Sequence, residues 1–314
     1  METIPSELWT EIFAFACTDD GSTGRALSSV SRAVHLISKP LKYQSLCVIG
    51  LHQLLKLLAT LSDLPPGERK VKYLFIAGLD DCRDFESPDG GTGIRTPLYA
   101  DPSRAGLTEK TLGRILRLVA TRLFSLSIHR TTIARQSLLP KIDLPLLAEL
   151  TLHGPFESLQ PTNLRPRALF PCLRRIQINH FANHPTKFLE HIVLLAPNLT
   201  HLRAPQSSFT PYDIQVALGL LQPTASAGEA VYLPSSLQEL VIEVGPVTGP
   251  LDSWESNIRA TQFSKNFQKI AENDGRVFLV DGLGDWMSIE QARQEWLQGI
   301  RPVNFSYSGA WWML

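Results

Sequence analysis

The sequence predicts an α/β protein in which a short N-terminal helical module is followed by an irregular solenoid with a parallel sheet. Three observations predict this fold class: apolar residues at helical spacing near the start, a strand pattern that recurs after them, and helical runs between its copies. Helices that alternate with strands favour parallel pairing, because the chain must cross back over the sheet before each new strand. We place the helical module at residues 1–50 and the solenoid at residues 51–314.

The chain has 314 residues, of which 44% are hydrophobic, and its 30 basic residues balance 30 acidic ones. This composition supplies a large core but no net field for nucleic acid or an anionic membrane, so we expect protein partners. The start shows no export signal, and no run of about 18 apolar residues follows. The cysteines are scattered without a C-x-x-C pair, at Cys17, Cys47, Cys82 and Cys172. Such thiols indicate a cytoplasmic or nuclear protein.

The first elements of the module are short helices. Apolar spacing predicts one helix over Glu7–Ala16 and a second from about Gly24 to Ile37, which ends at Ser38-Lys39-Pro40. The apolar arc of the first helix, which includes Trp9 and Phe13, spans about 160° and is wider than a helix buried on one side needs. So few short helices cannot enclose these two rings, and we therefore expect a covering partner or domain.

Three stretches of the module carry a longer pattern. They read Ile4-Pro5-x-Glu7-Leu8-Trp9-x-Glu11-Ile12-Phe13, Leu27-x-x-Val30-Ser31-Arg32 and Ser38-Lys39-Pro40-x-x-Tyr43. The pattern resembles an F-box, and more narrowly the F-box-like proteins that are abundant in mushroom-forming fungi. Ile4, Ser31 and Tyr43 stand where the family pattern has Leu, Cys and Trp.

The resemblance implies a partner and a role for the module. F-box helices dock on the Skp-type adaptor of a cullin-RING ubiquitin ligase, which implies that this chain is the substrate-recognition subunit of such a ligase. Carried over position by position, the adaptor-binding residues are Pro5, Leu8, Trp9, Ile12, Leu27, Val30 and Ser31. The alternative is a helical cap whose wide apolar face packs on the repeats that follow.

Six copies of one strand template follow the module. They are Val71-x-x-Leu74-x-Ile76, Leu123-x-x-Leu126-x-Ile128, Leu147-x-x-Leu150-x-Leu152, Leu173-x-x-Ile176-x-Ile178, Leu199-x-x-Leu202-x-Ala204 and Leu237-x-x-Leu240-x-Ile242. Their last positions lie 52, 24, 26, 26 and 38 residues apart. Leucine-rich repeats recur roughly every 20 to 29 residues, so the region is leucine-rich-repeat-like. A generic α/β domain with similarly buried strands is the alternative, because the asparagine of the usual repeat signature is missing.

The segments between the templates are predicted to be helices or loops. Helical runs precede several templates, at Leu51–Leu61, Leu112–Leu123, Phe188–Leu195 and Tyr212–Leu221. Pro145, Pro171 and Pro197 each precede a template leucine by two residues, which is the expected stop between helix and strand. The longest steps contain polar stretches rich in Gly, Ser, Ala or Pro at residues 80–93 and 223–236, which predict a long mobile loop and a second insertion.

The C-terminal region is predicted to close the solenoid. A helix of about Trp254–Glu272 precedes a last strand at Val277–Val280, and the capping box Ser288-x-x-Gln291 opens a helix that runs to Gln298 and stops at Gly299. Four tryptophans crowd into this end, at Trp286, Trp296, Trp311 and Trp312. We expect them to cap the last repeat; an exposed aromatic peptide that binds a partner is the alternative.

The template also predicts a candidate binding face. Its two aliphatic strand positions point into the core, so the residues between and beside them face outward and form strips across neighbouring strands. The candidate substrate-binding residues on these strips are Ser125, Ser127, His129, Glu149, Thr151, His153, Arg175, Gln177, Asn179, His201 and Arg203. Their mixed acids, bases and amides suit recognition of a protein surface, although outward strand positions are polar in any soluble protein.

The sequence carries no pattern for catalysis or for a cofactor. It has no H-E-x-x-H, no G-x-S-x-G and no P-loop, and His180 and His184 fall on a predicted turn. We therefore expect no enzyme, no metal and no cofactor. The function predicted is substrate recognition in a Skp/cullin/F-box ligase, with an unidentified protein substrate. A repeat-type interaction scaffold unconnected with ubiquitin is the alternative.

Overall fold

The computed structural model describes residues 4–78, 102–130, 142–156, 169–181, 188–223, 231–244, 254–281 and 287–300. In these ranges the chain forms an α/β structure with nine α-helices and one open sheet of eight strands. The strands lie side by side in chain order, and every neighbouring pair is parallel. The predicted α/β class and parallel sheet are therefore confirmed.

The strands of the sheet have ordinary lengths, from five residues in the shortest to eight in the longest. The strands are β1 (Ser45–Ile49), β2 (Tyr73–Ala77), β3 (Ser125–His129), β4 (Glu149–Phe156), β5 (Arg175–Phe181), β6 (His201–Pro205), β7 (Glu239–Val244) and β8 (Val277–Asp281). The helices are α1 (Ser6–Ala16), α2 (Ser22–Val30), α3 (Arg32–Ser38), α4 (Leu51–Asp63), α5 (Pro102–Val119), α6 (Phe188–Leu195), α7 (Pro211–Ala217), α8 (Trp254–Asn273) and α9 (Ile289–Ile300).

One face of the sheet packs against α4 to α8, and we call it the helical face. Its strand side chains are the two aliphatic positions of the template, which form two buried rows: Leu74, Leu126, Leu150, Ile176, Leu202 and Leu240, then Ile76, Ile128, Leu152, Ile178, Ala204 and Ile242. The helices contribute Leu61, Ile115, Ile192, Ile214 and Phe267 to the same core. Strand pairing places the template positions opposite one another, so the predicted alignment is confirmed.

The last helix, α9, lies on the other side of the sheet, which we call the opposite face. Phe75 and Ala77 alternate with the template positions of β2 and therefore point to this face. They form a second apolar cluster with Ala292, Trp296, Leu297 and Ile300. The rings of Phe75 and Trp296 are 5.4 Å apart, and Ile289 borders Gly78. Helix α9 thus runs antiparallel to β2 and contacts β2 and β3.

The three N-terminal helices have a small core of their own. Phe13, Cys17 and Leu41 are buried there, and Trp9 and Leu27 pack around them. Polar contacts fasten these helices to the first strand of the sheet. Gln44 Nε2 donates a hydrogen bond of 2.8 Å to the carbonyl of Ala14, and Ser45 Oγ donates one to the carbonyl of Asp19. The helical module is therefore joined to the edge of the sheet at β1.

Two sequence predictions for this region differ from the structure. The predicted helix Gly24–Ile37 is two helices, because Ser31 is extended, with φ −160° and ψ 164°, and caps α3. Strand β1 was not predicted, and it lies inside residues 1–50, so the sheet begins before the predicted boundary. The register places Leu46 opposite Leu74 and Val48 opposite Ile76, so β1 continues both template rows.

The predicted C-terminal cap also differs from the structure. Trp296 packs on Phe75 of β2 rather than on the last strand, because the apolar side of α9 turns to the opposite face. Gly299 does not stop α9, which runs to Ile300, although the predicted capping box at Ser288 is confirmed by hydrogen bonds of 2.9 and 3.2 Å with Gln291. Trp286, Trp311, Trp312, the loop predicted at 80–93 and residues 224–230 of the insertion predicted at 223–236 lie outside the described residues.

Gly154 lies at a register shift in β4 and offers a test of the packing between β3 and β4. Its φ is +123°, and an added Cβ would meet the carbonyl oxygen of Arg130 at 2.3 Å. We expect Gly154→Ala to lower the free energy of unfolding by roughly 3 kcal/mol, because backbone strain of about 1–3 kcal/mol adds to the clash. Urea denaturation monitored by circular dichroism measures the change.

Gly219→Ala is the matched control, because Gly219 has φ +76° and no atom within 4 Å of an added Cβ. This variant suffers the strain alone, about 1 kcal/mol. Equal losses for the two variants would contradict the close approach of Arg130.

Candidate protein-interaction surfaces

The first candidate surface is an apolar stripe along α1, which we call the α1 stripe. It consists of Ile4, which lies just before the helix, and of Leu8, Ile12 and Phe15, whose spacing places them on one side of the helix. These side chains are 47%, 50%, 49% and 65% exposed. Val30 and Leu36 of the same module are also more than half exposed. An uncovered apolar stripe of this kind is typical of a protein-interaction surface.

The residues predicted to bind the adaptor divide into two groups. Pro5, Leu8, Ile12, Val30 and Ser31 are exposed. Trp9 and Leu27 are half-buried and pack in the core of the module, where the Trp9 ring lies 5.3 Å from that of Phe13. Ser31 has a local role as well, since its Oγ accepts a hydrogen bond of 3.2 Å from the Val34 amide. Trp9 and Ser31 thus help to hold the helices that present the stripe.

The second candidate surface is the polar part of the opposite face. Strand pairing places Ser125, Glu149, Arg175, His201 and Glu239 in one row, as the template predicted. A second row contains Ser127, Thr151, Gln177, Arg203 and Val241. The predicted candidates do not share one environment, because five are buried: Ser125, Ser127, His129, His153 and Arg203. Glu149, Thr151, Gln177, Asn179 and His201 are half-buried, and Arg175 is exposed.

Helix α9 contributes to burying the candidates on β3 and β4. His129 Nε2 donates a hydrogen bond of 2.8 Å to the carbonyl of Met287, just before the helix. Gln177 Nε2 donates one of 2.8 Å to Glu295 Oε1. His153 Nδ1 accepts one of 2.8 Å from Asn179, whereas His153 Nε2 lies 3.9 Å from Glu295 Oε2, too far for a hydrogen bond. Gln177 is thus hydrogen-bonded to α9 and His129 to the residue Met287 that precedes it, whereas His153 is hydrogen-bonded to Asn179.

Burial decides the charge of His153. It lowers the pKa of this histidine to about 3, and the neighbouring His129 and Arg203 side chains act in the same direction. His153 is therefore neutral near pH 7. Its contact with Glu295 is not an ion pair, so the carboxylate is held mainly by Gln177.

The strands beyond α9 carry charges that are paired with one another. Glu149 lies 3.3 Å from Arg175. His201 lies 3.7 Å from Glu239, but burial lowers the pKa of the imidazole, so this contact is not an ion pair near pH 7. Arg203 and Glu243 form a nearly buried pair at 2.6 Å. Burial raises the pKa of Glu243, and the nearby Arg203 guanidinium offsets only part of this effect. The paired charges leave little net field, so this strip suits a partner with mixed polar groups.

Arg293 of α9 joins the two candidate surfaces. Its guanidinium donates a hydrogen bond of 2.6 Å to Asp20, in the turn between α1 and α2, and it also interacts with the Cys47 thiol of β1. Burial opposes ionisation of Asp20, but hydrogen bonds from Ser22 and Arg293 outweigh it and lower the pKa of the carboxyl. The turn of the helical module therefore contacts the last helix of the chain.

Some residues of these surfaces were missed by the sequence predictions. Phe15 and Leu36 are exposed beside the predicted adaptor residues but were not among them. Phe15 belongs to the predicted apolar arc of the first helix, since it follows Leu8 by seven positions on the same helix face. Glu295 and Arg293 were also missed. Their partners lie more than a hundred residues away along the chain, so no local pattern indicates the contacts.

Similarity to known proteins, membrane-spanning helices and metal-binding groups give no further candidate site. Against known proteins, the chain matches no family model, no curated protein and no solved structure. None of the helices in the described ranges is both long and apolar enough to cross a membrane. Within those ranges, no three histidine, cysteine, aspartate or glutamate side chains are grouped so that they could hold a metal ion. The two surfaces are thus the features from which a function can be inferred.

The lowered pKa of His153 predicts a pH dependence of stability. Below pH 6.5 the unfolded chain takes up a proton at this residue, whereas the folded chain does so only near pH 3. The free energy of unfolding therefore falls as the pH drops through this window, and His153 accounts for a loss of about 2 kcal/mol between pH 7 and pH 5. Urea denaturation of the wild type and of His153→Gln at both pH values measures this contribution.

The glutamine variant should lose about 2 kcal/mol less than the wild type between the two pH values. His52→Gln, at an exposed position of α4, controls for the removal of an imidazole. The same pH dependence in the wild type and in His153→Gln would show that His153 is not held neutral.

Proposed function

We propose that this protein is the substrate-recognition subunit of a Skp/cullin/F-box ubiquitin ligase. The N-terminal helices would be an F-box that binds the Skp-type adaptor, and the rest of the chain would be a leucine-rich-repeat-like solenoid whose opposite face holds a protein substrate. Its mechanism would be positional: a substrate held near a ligase-bound ubiquitin carrier experiences a high effective concentration of the activated ubiquitin. The chain itself would perform no chemical step.

The observation that carries this proposal is the exposure of the α1 stripe. If the module were only a cap, its apolar side chains should be covered by the sheet that it closes. Leu8, Ile12 and Phe15 instead remain about half exposed or more, while Phe13 on the other side of α1 is buried. Aliphatic and aromatic anchors of this kind dominate the binding energy of many protein interfaces. The stripe also contains residues that the F-box resemblance assigns to the adaptor contact.

The alternative, a repeat-type scaffold unconnected with ubiquitin, is favoured by a different observation. The helical module makes polar contacts with β1 through Gln44 and Ser45, and with α9 through Asp20. These contacts cover part of the sheet edge, as a cap does. They involve the turn after α1 and the carbonyl of Ala14, so they leave the α1 stripe free for a partner.

The adaptor contact is tested by replacing the exposed anchors alone. We expect Leu8→Ala, Ile12→Ala and Phe15→Ala together to weaken binding to a purified Skp-type adaptor by at least about 100-fold, because hot-spot side chains each contribute roughly 2 kcal/mol or more. Biolayer interferometry with the full chain measures the affinity. Trp9 is left unchanged, because it packs on Phe13 and its loss would disturb the module.

The control variant carries alanine at three similarly exposed leucines outside the module, namely Leu107, Leu194 and Leu220. It should bind the adaptor like the wild type. If the wild type shows no binding to the adaptor, or if the two variants bind equally well, the F-box assignment is wrong.

A deletion separates a detachable module from a cap. The sheet begins at Ser45, so the deletion must end before β1, and a chain of residues 42–314 keeps all eight strands. We expect this shortened chain to remain soluble and folded in size-exclusion chromatography and circular dichroism. Aggregation of the shortened chain would favour the alternative, in which the helices only close the edge of the sheet.

A further inference from the structure

The opposite face of the sheet already holds one amphipathic helix. Helix α9 buries Ala292, Trp296 and Ile300, which are spaced by four residues and form one apolar stripe. Its outer side is polar and exposed, with Glu290, Gln291, Gln294 and Gln298. A helix with this division between apolar and polar sides binds a partner surface through its apolar stripe. The other long helices pack on the helical face, so α9 is alone in its position among the described elements.

Some buried polar atoms in the contact between α9 and the sheet have no hydrogen-bond partner in the part of the chain that the structure describes. Among the described residues, no acceptor lies within hydrogen-bond distance of Trp296 Nε1, which is buried. In the same ranges, the buried Ser127 hydroxyl has no hydrogen-bond partner, and Glu295 Oε2, which is an acceptor, has no donor. Buried polar atoms without partners weaken a contact. Helix α9 therefore holds the face with less affinity than a helix that satisfied these atoms.

We propose that the opposite face over β2–β5 is a helix-binding surface, that α9 occupies it as an intramolecular ligand, and that a substrate binds by presenting an amphipathic helix that displaces α9. The substrate helix would repeat the pattern of α9. It would carry three apolar residues spaced by four, with a large aromatic side chain at the middle position, as at Trp296. The residue before the aromatic would be a hydrogen-bond acceptor for Gln177, as Glu295 is in α9. That the displacing helix belongs to a ligase substrate rests on the proposed function. The helix-binding surface itself does not depend on adaptor binding.

The experiment makes the displacement measurable in the full chain. A site for a specific protease is inserted between Gly282 and Trp286, before α9, so that cutting turns α9 from an attached ligand into a separate fragment. The probe is a fluorescein-labelled peptide with the sequence of residues 287–300. Fluorescence anisotropy measures how tightly the probe binds before and after the cut.

We expect the cut protein to bind the probe with a dissociation constant at least tenfold lower than the uncut protein, because attached α9 competes at a high effective concentration. A probe that carries Trp296→Ala should bind at least tenfold more weakly than the native probe. A cut protein that stays folded in a melting curve but does not exchange its own fragment for the probe would overturn the proposal, as would equal binding before and after the cut.

A compensating pair of changes tests the site of binding. The variant Gln177→Glu places a carboxylate opposite Glu295, so we expect it to bind the native probe about tenfold more weakly after the cut. A probe with Glu295→Gln restores a donor and should recover the lost affinity. The exposed change Gln298→Ala in the probe is the control and should have no effect. Failure of the pair to compensate would place the probe elsewhere and overturn the proposal.

Adaptor binding is measured in parallel on the cut protein. Probe exchange without adaptor binding supports the helix-binding surface and contradicts the proposed ligase function. Adaptor binding without probe exchange supports the proposed ligase function and contradicts the helix-binding surface. The two proposals therefore succeed or fail separately.

Discussion

Two rows of aliphatic side chains hold the sheet in register, and the rest of the structure depends on them. Each strand from β2 to β7 places one residue in each row, and the rows are buried throughout by α4 to α8. A slip of one residue in any strand would turn its aliphatic pair to the opposite face and bring polar side chains into the core. The register is therefore strongly determined, and with it the order in which polar residues meet on the opposite face.

The rows explain why much of the fold could be predicted. The strand pattern recurs in six copies with the same internal spacing, although the steps between copies vary. Aligning the copies is therefore equivalent to aligning the strands, and the polar rows follow from the alternation of side chains. The break at Ser31 could not be found in this way. Apolar spacing continues from α2 into α3, while the break depends on a serine hydroxyl that caps the second helix. At Ser31, a local hydrogen bond interrupts the helix although the apolar spacing continues.

The position of α9 shows a different limit of sequence patterns. Its apolar stripe predicts that one side is buried, but both faces of the sheet offer apolar side chains at β2, namely Leu74 on one face and Phe75 on the other. The choice depends on contacts between residues distant in the chain, such as Gln177 with Glu295 and Arg293 with Asp20. The predicted substrate residues His129 and His153 are buried beside α9 in this way, although their row was predicted correctly.

Arg293 connects the helical module to α9, and its energy limits how strongly the two candidate surfaces can influence each other. The ion pair with Asp20 is partly exposed on both sides, at 25% and 23%. Pairs with this much solvent contact contribute about 0.2–1 kcal/mol, which corresponds to less than about a tenfold change in an equilibrium constant. Release of α9 would therefore change the affinity of the α1 stripe for a partner by only a few-fold. Two surfaces so weakly coupled can bind their partners in either order, which suits a protein that joins one partner to another.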